Sequence, residues 1–134
     1  MTSTPMTPVS WGELIDKITI LEIKAERLTD AAKRANVVTE LTLLAQIAAP
    51  ARQSEEVTAL TAALKAVNEA LWEIEDHIRD KEAAQQFDAR FIELARAVYV
   101  TNDRRAALKR DLNRVLSSGL VEEKSYKPYI ADAK

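Results

Sequence analysis

Leu60, Leu64, Val67, Leu71, Ile74 and Ile78 recur at spacings of three and four residues. That period places all six on one side of a helix of about five turns. Trp11, Leu14, Ile18, Leu21, Ala25 and Leu28 repeat it near the start of the chain, and Phe91, Ala95, Val98, Leu112 and Leu116 near the end. No stretch alternates with the period of two that a half-buried strand needs, and the whole chain contains only two glycines. Stripes of this kind are buried by packing helices on one another. The expected fold is therefore all-α: an antiparallel helical bundle of three long helices and one short helix. At 134 residues it fits one domain.

Capping signals divide the chain. Ser10, with Glu13 three residues on, has the form of a capping box, so the first helix is expected from there to about Ala35. Asn36 reads as a breaker. A short helix is expected over Val37–Ala48, with Leu41, Leu44 and Ile47 or Ala48 inward, stopped by Pro50. Ser54 restarts the pattern, and Glu55 and Glu56 favour the positive end of the new helix. Residues 80–86 either continue this helix or turn. Asp88 caps the last helix, which is expected to reach about Ser117, with Gly119 as its left-handed C-cap. The domain is expected to consist of a disordered tail over 1–9, the bundle over 10–119, and an arm over 120–134. Tyr126 and Tyr129 beside Pro128 point to an arm that folds back on the helices. On the first helix, Ile20 and Ile23 face away from the main stripe. That helix is then either central or covered by a second subunit, and a homodimer through Ile20 and Ile23 is expected.

The last helix breaks the usual rule. Asn102, Arg105, Lys109 and Asn113 fall within about 60° of the direction set by its apolar residues. A lysine and an arginine on a packing face need carboxylates, water or an anionic ligand, because an unpaired buried ion costs several kcal/mol. The carboxylates within reach are Glu13, Asp16 and Glu22 on the first helix, Glu75 on the third, and Glu122 or Glu123 in the arm. Two readings follow. One is an ion-pair network that fixes helix register, which makes the chain a structural or protein-interaction module. The other is a pocket for a small anionic or sugar ligand, built from Asn102, Arg105, Lys109, Asn113, Glu13, Lys17, Glu75 and Tyr126. There Arg105 and Lys109 would hold phosphate or carboxylate, the two asparagines would meet hydroxyls, and Tyr126 or Trp72 would form a stacking wall.

Other chemistries lack their residues. Cysteine is absent and the single histidine, His77, lies away from the stripe, which removes most zinc sites. Glu73 and Glu75 are followed three residues later by Asp76 and Ile78, so the Glu-x-x-His pairs of a di-iron bundle are missing. Ser125 beside Lys124 has no histidine or oxyanion-hole motif near it, and two glycines cannot make a phosphate loop. No metal, cofactor or catalytic residue is assigned. Five basic and two acidic residues between Asn102 and Arg114 scatter around the helix instead of forming a stripe, so no nucleic-acid partner is expected. The first nine residues lack the pattern of a signal peptide and no apolar run reaches about 18 residues, so no membrane span and a cytoplasmic location are expected.

Several of the unusual polar residues also carry a resemblance. Trp11-Gly-Glu-Leu-Ile-Asp-Lys-Ile-Thr-Ile-Leu-Glu-Ile-Lys24 resembles the opening of a small bacterial family known only as a domain of unknown function. Leu71-Trp-Glu-Ile-Glu-Asp76, Val98-Tyr-Val-Thr-Asn-Asp-Arg-Arg105, Lys109, Asn113 and Glu123-Lys-Ser-Tyr126 are similar to the rest of its pattern. Similar domains occur beside, or fused to, glycosyltransferases and tetratricopeptide-type segments. The resemblance thus implies an accessory role in bacterial surface-polysaccharide synthesis and brings no catalytic residue with it.

Overall fold

Each of the four helices starts on a short side chain that carries an acceptor oxygen. Ser10 accepts from the Glu13 amide at 3.1 Å, Asp30 from Lys33 at 2.9 Å, Ser54 from Val57 at 3.2 Å and Asp88 from Phe91 at 3.0 Å. Each bond satisfies one of the amides that a helix start leaves without a partner. The structure is a computed structural model and describes residues 3–129. Residues 1–2 and 130–134, the outer parts of the expected tail and arm, lie outside the described residues. The helices are α1 (Trp11–Arg27), α2 (Ala31–Ala48), α3 (Glu55–Ala83) and α4 (Ala89–Val115), with one 3₁₀ turn over Ala49–Arg52. The protein is an all-α bundle. No helix among the described residues is long and apolar enough to cross a membrane.

Two boundaries differ from expectation. α1 ends at Arg27 and not near Ala35, and Asn36 sits inside α2, which has 18 residues. The stronger cap decides this: Leu28 turns extended at φ −71 and ψ 132, and Asp30 opens the next helix. Arg34 then reaches back and donates to the Ala25 carbonyl at 2.8 Å, satisfying an acceptor left free at the end of α1. The second difference is at Gly119, which is not left-handed. The residue with positive φ is Ser117, at 51°. Ser118 donates to the Asn113 carbonyl at 2.8 Å and Ser117 to that of Arg114 at 3.3 Å, the two bonds of a Schellman motif.

α1 packs against α2, α3 and α4. Ile15 and Ile18 are fully buried on it, and Ile23 is 1% exposed within the single chain. On the second apolar face Ile23 is therefore covered by the chain's own helices and offers a partner subunit nothing, while Ile20 is half-buried. Ile15, Val57, Leu64 and Leu112 form the centre of the core, with Leu60, Leu108, Val115 and Leu116 against it. α3 and α4 share the most extensive interface and are joined by a turn in which Gln85 takes φ 55 and Lys81 pairs with Asp88 at 2.8 Å. At 1.5 Å per residue they are each about 40 Å long, against about 26 Å for α1. The tip of their hairpin therefore projects, leaving Phe87 and Ile92 exposed.

α1 meets the C-terminal half of α4 with the two chains running in opposite directions: Gly12 pairs with Asn113, Glu13 with Lys109 and Asp16 with Arg105. The closest approach is at Gly12. A methyl group there would lie 2.5 Å from the Lys109 carbonyl oxygen and 3.0 Å from Asn113 Oδ1. The first of these is backbone and cannot swing aside. Gly12→Ala is expected to destabilise the fold by about 1–3 kcal/mol in urea or thermal unfolding. Gly119→Ala, with nothing within 4 Å of the added carbon, is expected to stay within about 0.5 kcal/mol. Equal effects at the two positions would contradict this account of the crossing.

Candidate functional site

Asp16 lies on the face of α1 that turns inward, one residue from Ile15, and is 1% exposed. A carboxylate so placed must be paired. Arg105 from α4 grips it with both ends of the guanidinium fork, Nε to Oδ1 at 2.9 Å and Nη2 to Oδ2. From α3, Asn68 Nδ2 donates to the same Oδ1 at 2.9 Å and to Thr19 Oγ1 at 2.9 Å. Thr19 in turn donates to the Asp16 carbonyl at 2.8 Å. Among the described residues no buried side-chain nitrogen or oxygen lacks a partner. The bond to Asp16 raises the pKa of Arg105, outweighing the opposing effect of burial.

One turn further along α4, Lys109 is 11% exposed and sits between two carboxylates. Nζ donates to Glu13 at 2.8 Å and to Glu122 at 2.9 Å. Burial opposes its charge, but the two carboxylates together win and hold the ammonium above its usual pKa. Glu13 occupies the capping-box position, yet its carboxylate is directed to Lys109. The first-turn amides of α1 find other acceptors: Asn113 Oδ1 takes Gly12 N–H at 2.7 Å and Ser118 Oγ takes Trp11 N–H at 3.2 Å. Glu122 also pairs with Lys124. Lys124 first and Lys109 second hold its carboxyl down at about 2.

From Ser118 the chain doubles back along α4. Glu122 stands beside Lys109, and Tyr129 packs edge-on against Tyr99 with ring centroids 5.1 Å apart. Partial burial and the Asp103 carboxylate raise the pKa of the Tyr129 phenol. Between α4 and this arm lies a cleft of about 930 Å³. Asn102, Arg105, Lys109 and Arg110 line it from the helix, and Lys124, Tyr126 and Lys127 from the arm. Lys124 Nζ stands 5.9 Å from the centre of the Tyr126 ring. Among the described residues, Asp103 is the one carboxylate-bearing residue in the lining. No carboxylate among the described residues pairs with Arg110 or Lys127.

Of the residues singled out in the sequence, Asn102, Arg105, Lys109, Asn113, Glu13 and Tyr126 come together here. Asn113 is buried and its amide oxygen serves α1, so it braces the floor of the site. Lys17 and Glu75 do not belong. Lys17 points outward to Glu40 on α2 at 2.9 Å, and Glu75 pairs with Arg79 on the outer side of α3. Trp72 is likewise elsewhere, under the Arg27 guanidinium at 5.7 Å. Sequence reasoning passed over Thr19, Asn68, Ser118 and the closeness of Gly12, and counted Asp16 as only one of several carboxylates. Gly12, Asp16 and Thr19 stand at helical spacing, so a search for small and polar residues recurring on one helix face finds them.

The profile of a family of unknown function (DUF6165) matches residues 6–133, nearly the whole chain, and the chain belongs to that family. No curated protein and no solved structure matches it.

Arg105→Ala leaves Asp16 buried without its counterion and is expected to cost about 3–5 kcal/mol in chemical unfolding. The double change Asp16→Ala with Arg105→Ala is expected to cost clearly less than the sum of the two single changes, because the pair is lost together. Simple additivity would show that the two groups do not act as one unit. Acid acts on a different contact. A carboxylate whose folded-state pKa is lowered adds stability above its ordinary value of 4.5, and that contribution is lost as the pH falls towards about 2. The Glu122 carboxyl carbon, followed by NMR, is expected to titrate near 2. A midpoint near 4.5 would mean the arm is not docked on Lys109.

Proposed function

We propose that this member of the family is an accessory binding domain, whose cleft between α4 and the arm takes a small anionic, hydroxyl-rich ligand such as a phosphorylated sugar. The carrying observation is the mismatch of charge along the cleft. Arg105, Lys109 and Lys124 are already engaged by Asp16, Glu13 and Glu122, whereas Arg110 and Lys127 face the cleft and pair with no carboxylate among the described residues. The anion-holding role therefore falls first on Arg110 and Lys127, with Lys124, paired with Glu122, beside them and the inner pair as their rigid support. Asn102 offers an amide to hydroxyl groups. Tyr126, 77% exposed, offers a flat face against which a sugar ring packs. A volume of about 930 Å³ accommodates a ligand of that size. The likeness to domains found beside bacterial glycosyltransferases supports a place in surface-polysaccharide synthesis, with the domain holding a phosphorylated donor, acceptor or product for a partner enzyme.

A second reading has its own support. The polar centre is closed on itself, with every buried side-chain donor and acceptor partnered. That is what a register-setting network in a structural or protein-interaction module requires. The two readings differ at the cleft's outer residues. If a ligand binds, Arg110→Ala is expected to weaken a hexose phosphate by about tenfold in calorimetric titration, the worth of one charged hydrogen bond. Its unfolding free energy should shift by no more than about 0.5 kcal/mol, since Arg110 is exposed. Tyr126→Ala is expected to weaken the same ligand without loss of stability. Absence of hexose phosphate binding by the unmodified chain would leave the structural reading in place.

A further inference from the structure

Glu122 differs from the other carboxylates of the polar centre in how it is held. Asp16 is buried and bound by two helices beyond its own. Glu13 is fixed on the first turn of α1. Glu122 rides on the non-helical arm, with its side chain 37% exposed, and bridges Lys109 and Lys124. A small hollow beside it is bordered by Ala106, Lys109, Arg110, Asn113 and Lys124. All of these except Asn113 also line the large cleft, so Glu122 stands at the cleft's inner end.

We infer that Glu122 occupies the place of the ligand's own anionic group, and that a phosphate monoester entering the cleft displaces it from Lys109 and Lys124. This rests on the cleft being a binding site. Three cations, Lys109, Arg110 and Lys124, converge on the hollow, two of them now satisfied by Glu122. Lys109 carries three donors and keeps Glu13 as a partner when Glu122 leaves, so its burial remains tolerable. The charge balance selects the ligand class. Among the described residues five cations line the cleft, and Asp16, Glu13, Glu122 and Asp103 oppose them. One positive charge is left over while Glu122 is docked, and two once it has gone. A phosphate dianion matches the second state, whereas a singly charged carboxylate only repeats what Glu122 does. The low pKa of Glu122 agrees with a strongly cationic setting. Exchange also couples binding to the arm, since Glu122 supplies the arm's carboxylate contact with Lys109 on α4.

The test is titration of the full chain with inorganic phosphate, and separately with acetate, at constant ionic strength. Glu122→Gln keeps the size of the side chain and removes its charge. It is expected to bind phosphate about tenfold more tightly than the unmodified chain, because the internal competitor is gone. Glu123→Gln, one residue along and exposed, should leave the affinity unchanged. In the unmodified chain at about pH 8, where phosphate is a dianion, saturating phosphate should shift the NMR resonance of the Glu122 carboxyl carbon as it leaves Lys109 and Lys124, a readout that needs no variant. Acetate should bind either chain weakly. Equal or weaker phosphate binding by Glu122→Gln, or an unmoved Glu122 carboxyl resonance with phosphate bound, would overturn the exchange while leaving the cleft as a site. Failure of both chains to bind phosphate or a hexose phosphate would overturn the two together.

Discussion

Asp16 sets the terms for everything around it. Stripping a carboxylate of water in a helical core costs several kcal/mol, and only close charge and good hydrogen bonds return it. Here the return comes from three directions: the Arg105 fork on α4, the Asn68 amide on α3, and Thr19 one turn along α1, which fixes the amide. A single carboxylate thereby fixes the relative heights of three helices. Apolar stripes alone would permit a slide by one turn, since leucine and isoleucine tolerate many partners. A bidentate arginine does not tolerate it.

The crossing at Gly12 converts that alignment into a shape. Because α1 comes so close to α4 there, the Asn113 amide and the Ser118 hydroxyl can serve the amides at the start of α1. Ser118 is placed by the left-handed turn at Ser117, and the same turn sends the arm back along α4. Helix start, helix end and arm direction are thus one connected arrangement. The cleft owes its existence to it, since one wall is α4 and the other is the returning chain. Cations that would repel across such a gap are kept together by Glu122 on one side and the Tyr99–Tyr129 contact on the other.

Much of this was legible in the residues. The helical period of the stripes gave the fold class, and Ser10, Ser54 and Asp88 marked three of the four helix starts. The polar wedge of α4 identified Arg105 and Lys109 as needing partners, and Glu13, Asp16 and Glu122 were among those available. The boundary between α1 and α2 lies earlier than Asn36 suggests, because Asn36 is only a weak helix former while Asp30 is the better cap. Residue type alone favours Gly119 for the left-handed position, but Ser117 takes it. Lys17 and Glu75 share the site's direction only by angle on a helical wheel. A wheel gives direction but not which neighbour lies there, and α2 covers the side on which Lys17 sits. The closeness at Gly12 depends on tertiary packing, which no local pattern encodes.

The bonds that close the polar centre join residues far apart in the chain: 89 positions separate Asp16 from Arg105, 96 separate Glu13 from Lys109, and 107 separate Trp11 from Ser118. Contacts of such separation carry a large closure entropy and form late. The α3–α4 hairpin, by contrast, is local and closes around a short turn. During synthesis α1 emerges before α4, so its buried carboxylate has no counterion until α4 follows. α1 precedes the other three helices in sequence, yet its place in the bundle is completed only when α4 supplies Arg105 and Lys109.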